Sequence, residues 1–370
     1  MKDQAIIIAL SAFLGLVSGI VMHRSDFCIA GMFRDLFLFR NSPLLRSLFL
    51  LIAFSMLLFE AARLVGALNY NLPSSLFGLP SLTNLFGGII FGTGMVLAGG
   101  CVVGTLYKLG SGSLPAACAL GGLLIGSALY GEFHPFWKQL TVTTRLGDAA
   151  TLPQLLKLPP TLVIGILLTA AGILLYRCQT QGMLLRPNRI KGYLQPRTAA
   201  LLLAIIGLVS FTLLGMPIGI TTSYAKAGAF FEQLLIPEHV AALGYFQGRG
   251  FEYFLPLSGQ TLKAGAGPSW DGLALVQFPL IAGIVIGSGL SAISMGKFSI
   301  RFAIPQRQLL SAFIGGVIMG LAARMSPACN IWHLLGGLPL LSLQSILFTL
   351  GLLPGAWVGT LVFTRYVVKQ

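Results

Sequence analysis

Long apolar runs, following one another with scarcely a charge inside them, constrain this chain more than any motif it carries. They lie near residues 5–22, 43–66, 85–99, 114–130, 161–176, 198–216, 273–290, 309–324 and 341–363. A helix needs about 20 apolar residues to cross the hydrocarbon core of a bilayer, and by that measure the chain makes about nine spans. Stretches near 26–39, 102–109, 223–235 and 330–335 are too short to cross and read as re-entrant or half-buried helices. The strand-like alternation of an outer-membrane barrel is absent. Only 9% of the 370 residues are charged and 55% are hydrophobic, too little polarity to clothe a water-soluble domain. The expected fold is an all-α polytopic membrane protein in contact with the lipid bilayer, with no nucleic-acid partner.

Lys and Arg number 24 against 10 Asp and Glu, a net charge of +14. Two readings of that excess coexist: cationic loops that orient the spans, and a positive field that draws an anionic substrate. The link at 177–197 holds Arg177, Arg186, Arg189, Lys191 and Arg197 with no acid, so it reads as cytoplasmic. Counting in both directions puts Arg24, Arg34, Arg40 and Arg46 inside, together with Lys297, Arg301, Arg307, Arg365 and Lys369. The uncharged stretch 67–83 falls outside, the amino terminus outside and the carboxyl terminus in the cytoplasm. The run after Lys2 has no small-x-small cleavage site and ends at His23-Arg24, so it is expected to be the first span rather than a signal peptide.

The chain also repeats itself. Gly87-Gly88-Ile89-Ile90-Phe91-Gly92 precedes Cys101 at the same distance as Gly315-Gly316-Val317-Ile318-Met319-Gly320 precedes Cys329. A weaker echo aligns residues 19–28 with 219–228. The third span runs inward and the eighth outward, which predicts an inverted internal repeat with halves at 1–197 and 198–370. The broken ends at Gly99-Gly100-Cys101 and Ser326-Pro327-Ala328-Cys329 would leave backbone N–H groups free, an anion cradle at a helix start.

Cys28, Cys101 and Cys329 fall in register at such breaks. A lone membrane cysteine is usually a packed small hydrophobe; three in register point to thiols facing a soft, sulfur-bearing ligand. Cys118 and Cys178 lack the register and are left to packing. No CxxC or His/Cys cluster is present, so no metal is expected, and Gly92-Thr93-Gly94 lies inside a span and is no nucleotide loop. Arg324 reads equally as an anion attractor or a snorkelling helix end. His333 shares a helix face with Cys329, or serves as an interfacial belt residue beside Trp332. Glu60 and Arg63, one turn apart, read as a structural ion pair. Lys226 reads as a solvated side chain or as a cation at the outer mouth.

His23-Arg24-Ser25-Asp26-Phe27-Cys28, Ala98-Gly99-Gly100-Cys101-Val102-Val103-Gly104 and Ala323-Arg324-Met325-Ser326-Pro327-Ala328-Cys329-Asn330 resemble the YeeE/YedE family of sulfur-transport membrane proteins. The likeness covers nearly the whole chain. It implies a thiosulfate importer of the bacterial inner membrane, with pore cysteines at Cys28, Cys101 and Cys329 that pass the substrate by S–H···S contacts without covalent chemistry. The chain departs from the family in the long outside segment 218–271 and in the Pro-containing turn before Cys329. The pathway is expected to include Cys28, Cys101, Cys329, Gly99, Gly100, Arg324 and Asn330, with Arg24, Lys226 and His333 as accessory residues. The expected protein is no enzyme and takes no cofactor; its partners are a small sulfur-containing anion and a soluble cytoplasmic sulfur carrier. Transport of a selenium or other sulfur species, a membrane thiol oxidoreductase and a sulfur-delivery scaffold are the alternatives.

Overall fold

A chain in lipid must satisfy every backbone N–H and C=O internally, so apolar runs of this length become helices. The computed structural model describes residues 2–39, 43–68, 76–185, 192–248 and 250–368. In chain order the helices are α1 (Lys2–Ser25), α2 (Ile29–Phe39), α3 (Pro43–Leu64), α4 (Leu82–Leu97), α5 (Val102–Gly110), α6 (Leu114–Thr143), α7 (Leu152–Leu156) and α8 (Pro160–Thr180). There follow α9 (Pro196–Leu214), α10 (Thr221–Leu235), α11 (Pro237–Ala242), α12 (Gly244–Gln247), α13 (Gly272–Ser294), α14 (Gln306–Met325) and α15 (Leu343–Phe363), with a π-helical segment Trp332–Gly337 before the last. Among the described residues, nine helical stretches are long and apolar enough to cross a membrane. The chain is an all-α polytopic membrane protein, and the expected span count stands.

Three helix pairs carry the scaffold through the same contact. Gly15 and Gly19 of α1 lie on the carbonyls of Leu280 and Ile284 in α13, while Gly283 and Gly287 lie on those of Ala12 and Leu16. Gly88 and Gly92 of α4 meet Phe348 and Leu352 of α15, and Gly351 and Gly355 answer on Leu85 and Ile89. Gly122 and Gly126 of α6 meet Phe313 and Val317 of α14, and Gly316 and Gly320 answer on Ala119 and Leu123. A Cβ at any of these positions would run into the facing carbonyl. Glycines four apart on both partners bring backbones together where lipid offers no hydrophobic drive for helix association.

Side chains fix several helix starts. Ser81 and Asn84 form a reciprocal capping box on α4. Asp271 caps α13, its Oδ1 accepting from Ala274 N–H at 3.0 Å. The pair expected in the second span is present, with Arg63 donating to both Glu60 oxygens at 2.6 and 2.8 Å. His239 of α11 bridges Glu132 of α6 at 2.6 Å and Glu232 of α10 at 3.2 Å. The hydrogen bond to Glu132, more than any other influence, raises the His239 pKa above its ordinary value.

Three sequence expectations change. The fourth span does not end at residue 130: Glu132, His134 and Lys138 end the apolar run, yet α6 continues to Thr143, because charge at a membrane surface interrupts hydropathy and not helix geometry. The long segment 218–271 folds onto the helices and includes an antiparallel hairpin, β1 (Phe251–Leu255) and β2 (Gln260–Ala264), a strand pair with no counterpart in the sequence reading. The echo of 19–28 in 219–228 is not a structural match. Gly19 packs inside α1 and Cys28 precedes α2, whereas Gly219 precedes α10 and Gly228 lies within it. Arg40, Arg186, Arg189, Lys191 and Lys369, which helped to orient the chain, lie outside the described residues.

Candidate functional site

Each of the three registered cysteines sits at the start of a short helical segment, and the local hydrogen bonding is the same at all three. Met32, Thr105 and His333 donate their N–H to the carbonyls of Cys28, Cys101 and Cys329, at 3.0, 2.7 and 3.1 Å. The thiols cover N–H groups that a helix start leaves free. Gly104 N–H donates to Cys101 Sγ at 3.3 Å, the Cys28 thiol faces Gly31 N–H, and the Cys329 thiol faces those of Ile331 and Trp332. All three cysteines are buried and all five in the chain are free thiols.

Two of these sulfurs meet across one glycine. A Cβ on Gly104 would stand 2.9 Å from Cys28 Sγ and 3.1 Å from Cys101 Sγ, so α5 brings Cys101 against Cys28 only because position 104 has no side chain. Asn330 is fully buried and lies against Cys101, while Tyr224 of α10, also buried, is within electrostatic reach of both Cys101 and Cys329.

A cavity opens at each end of this cluster. The larger, about 480 Å³, is lined by Arg324, Lys138, His134, Tyr130, Thr221, Thr222 and Ala328, the last adjoining Cys329. The smaller, about 200 Å³, is lined by Arg34, Lys108, Gly99, Gly100, Thr105 and Gln308, Gly100 adjoining Cys101. Gln308 and Arg324 stand 16 residues apart on α14, which separates the two cavities by about 24 Å at 1.5 Å per residue. Among the described residues, neither lining includes a carboxylate. Gly99 holds φ at +69°, in the left-handed region that favours glycine, with open space where a side chain would be. Its carbonyl accepts from Lys108 Nζ at 2.6 Å, which places an ammonium at the broken end of α4.

The remaining expected residues divide. Arg324, 8% exposed, lines the larger cavity and donates to Thr222 Oγ1 at 2.9 Å and to Thr221 Oγ1 at 2.5 Å, so it does not snorkel. His333 is fully buried rather than interfacial. Its Nε2 donates to the Ser326 carbonyl at 2.9 Å, its Nδ1 meets Ser345 Oγ at 2.8 Å, and its ring stacks on Phe348. Both nitrogens are engaged, and the residue holds the turn before Cys329. Arg24 points to Ser291 and Ser294 of α13, and lines neither cavity.

Lys226 is completely buried, not solvated, and pairs with Asp271 Oδ2 at 2.8 Å while donating to the carbonyls of Gly267 and Ser269. Removing one partner of a buried ion pair costs about 3 kcal/mol. Lys226→Met is therefore expected to lower the melting temperature of the purified protein while leaving the anion affinity of the folded fraction unchanged. A selective loss of affinity would restore Lys226 to the pathway.

Gly104, Lys108 and Tyr224 escaped the sequence reading. Gly104 was visible only as the last residue of a motif, and nothing in the order of residues shows that Tyr224 and Cys101 converge.

The family described as sulphur transport matches residues 24–358 of this chain. A thiosulfate transporter, TsuA, of Spirochaeta thermophila is 29% identical over 366 residues, spanning 95% of this chain and 98% of its own length. The Escherichia coli protein of the same name is 25% identical over 357 residues, 95% of this chain and 93% of its own. A probable transporter, YedE, of Salmonella typhimurium is 28% identical over 152 residues, 38% of this chain and 35% of its own. With the match running from the turn before Cys28 almost to the end of α15, the chain belongs to the sulphur-transport (YeeE/YedE) family.

Proposed function

We propose that this protein takes up thiosulfate, or a closely related sulfur anion, across the bacterial cytoplasmic membrane, with its amino terminus outside and its carboxyl terminus in the cytoplasm. The observation that carries the reading is the row of buried, capped thiols between two cavities lined by cations and no carboxylate. Arg324 and Lys138 collect the dianion at one mouth, and Arg34 and Lys108 receive it at the other. Cys329, Cys101 and Cys28 offer weak S–H···S contacts in succession, strong enough to admit the ion and weak enough to release it. The relatives named thiosulfate transporters, aligned along almost the whole chain, support the substrate.

The two halves, 1–197 and 198–370, act in this reading as an inverted repeat. Its support is exchange: α4 packs on α15 as α14 packs on α6, and α1 packs on α13 as α9 packs on α3. A negative-inside potential opposes entry by about 2.3 kcal/mol per charge per 100 mV. Net uptake needs a coupling ion or an internal sink, and a soluble sulfur carrier at the basic link 177–197 would supply the sink.

The experiment is uptake of sulfur-35 thiosulfate into cells without their own importers. Uptake above the empty-vector level, suppressed by excess unlabelled thiosulfate and not by sulfate, is expected; accumulation no greater than in the vector control removes the reading. The contact of Cys28 with Cys101 favours one second reading, a membrane thiol oxidoreductase. That protein would pass through a Cys28–Cys101 disulfide during turnover, whereas the transporter keeps both thiols open to alkylation throughout.

A further inference from the structure

A buried polar atom without a partner costs free energy, so an orphan kept at the centre of a pathway calls for a ligand. Three such atoms lie among the residues around the thiols. The Tyr224 hydroxyl and both the nitrogen and the oxygen of the Asn330 side chain are buried without a hydrogen-bond partner. Tyr224 is 3% exposed and Asn330 is fully enclosed. Asn330 lies against Cys101 without reaching hydrogen-bond geometry, and Tyr224 lies near Cys101 and Cys329 together. Two other polar side chains near the thiols are already engaged: His333 uses both ring nitrogens, and Thr105 Oγ1 donates back to the Cys101 carbonyl at 3.0 Å.

The donors therefore come in two kinds. Thiols are weak donors suited to a polarizable sulfur; a phenol and a primary amide are strong donors suited to oxygen. Resting on the transport reading above, we propose that Tyr224 and Asn330 form the hard half of a two-sided site. The phenol O–H and the amide N–H donate to the sulfonate oxygens of thiosulfate while its terminal sulfur lies against Cys101 and Cys329. The ion is thereby oriented, and its chemistry is checked twice. Sulfate presents no soft sulfur to the thiols, and hydrosulfide presents no oxygen to Tyr224 and Asn330.

Binding of sulfur-35 thiosulfate to purified protein tests the assignment, with Tyr224→Phe and Asn330→Leu compared with wild type. Losing a hydrogen bond to a charged ligand is expected to weaken affinity by at least about tenfold in each variant. The thermal midpoint without ligand separates this from a structural role. Tyr224→Phe deletes a hydroxyl that has no partner in the empty protein, so its unliganded midpoint is expected to equal or exceed that of wild type. A lowered midpoint would mean that the hydroxyl serves the fold, and overturns the proposal. So does affinity within twofold of wild type in both variants. Wild-type protein that binds no thiosulfate removes the transport reading and this inference with it, an outcome distinct from the other two.

Discussion

Thiosulfate uptake is expected to fall by at least about tenfold in Cys101→Ala, the loss that follows from one missing contact to a charged ligand where no other group can replace it. Cys101 touches Cys28 across Gly104 and has Asn330 against it. Without its sulfur the row is interrupted between the two cavities. The thiol also covers Gly104 N–H at the start of α5, so the substitution removes a cap worth about 1 kcal/mol. Membrane expression and thermal midpoint must therefore be measured beside uptake. Cys101→Ser separates the two roles, since a hydroxyl caps well and offers no soft sulfur; it is expected to restore the midpoint and leave uptake low. Cys118→Ala, at a half-buried position in α6, should behave as wild type. Uptake that survives in Cys101→Ala at equal expression would leave a transporter without a thiol relay.

Gly104→Ala is expected to lose transport without removing any sulfur from the row, which makes it the more discriminating change. Here the added methyl would press into two sulfurs, at 2.9 and 3.1 Å, closer than such atoms pack. Either the Cys28 thiol or the Cys101 thiol must turn away, and α5 is too well fixed by Lys108 and by its glycine contact with α13 to yield much. An uptake loss of about tenfold is the scale expected for a relay broken at one contact. Wild-type uptake in this variant would show that the two sulfurs need not be neighbours for passage.

The spans, the cysteine register and the breaks were legible in the sequence because each rests on a local rule. Hydrocarbon thickness sets run length, and glycine marks where a helix stops. Arg324 could be singled out for the same reason, since a cation near the end of an apolar run must have a use. Tyr224, by contrast, looks like any aromatic in a short helix. Its importance comes from elements more than a hundred residues apart meeting at one point, which no window along the chain reports. Lys226 misled in the same way. A lysine in a polar stretch reads as solvated, and only the folding of 218–271 over the helices encloses it with Asp271. The echo at 219–228 misled differently, because the glycine spacing of α1 records its packing on α13 and not a break.

The backbone contacts between α1 and α13, α4 and α15, and α6 and α14 have a mechanical meaning. Two rods already touching along their length can separate but cannot be pressed closer, and reciprocal glycines leave no side chains between them to act as springs. A wall built this way behaves as a stiff frame. Whatever yields as an ion passes must then be the contents of the frame: the side chains at the starts of the short segments, turning about their own bonds while the surrounding wall stays still.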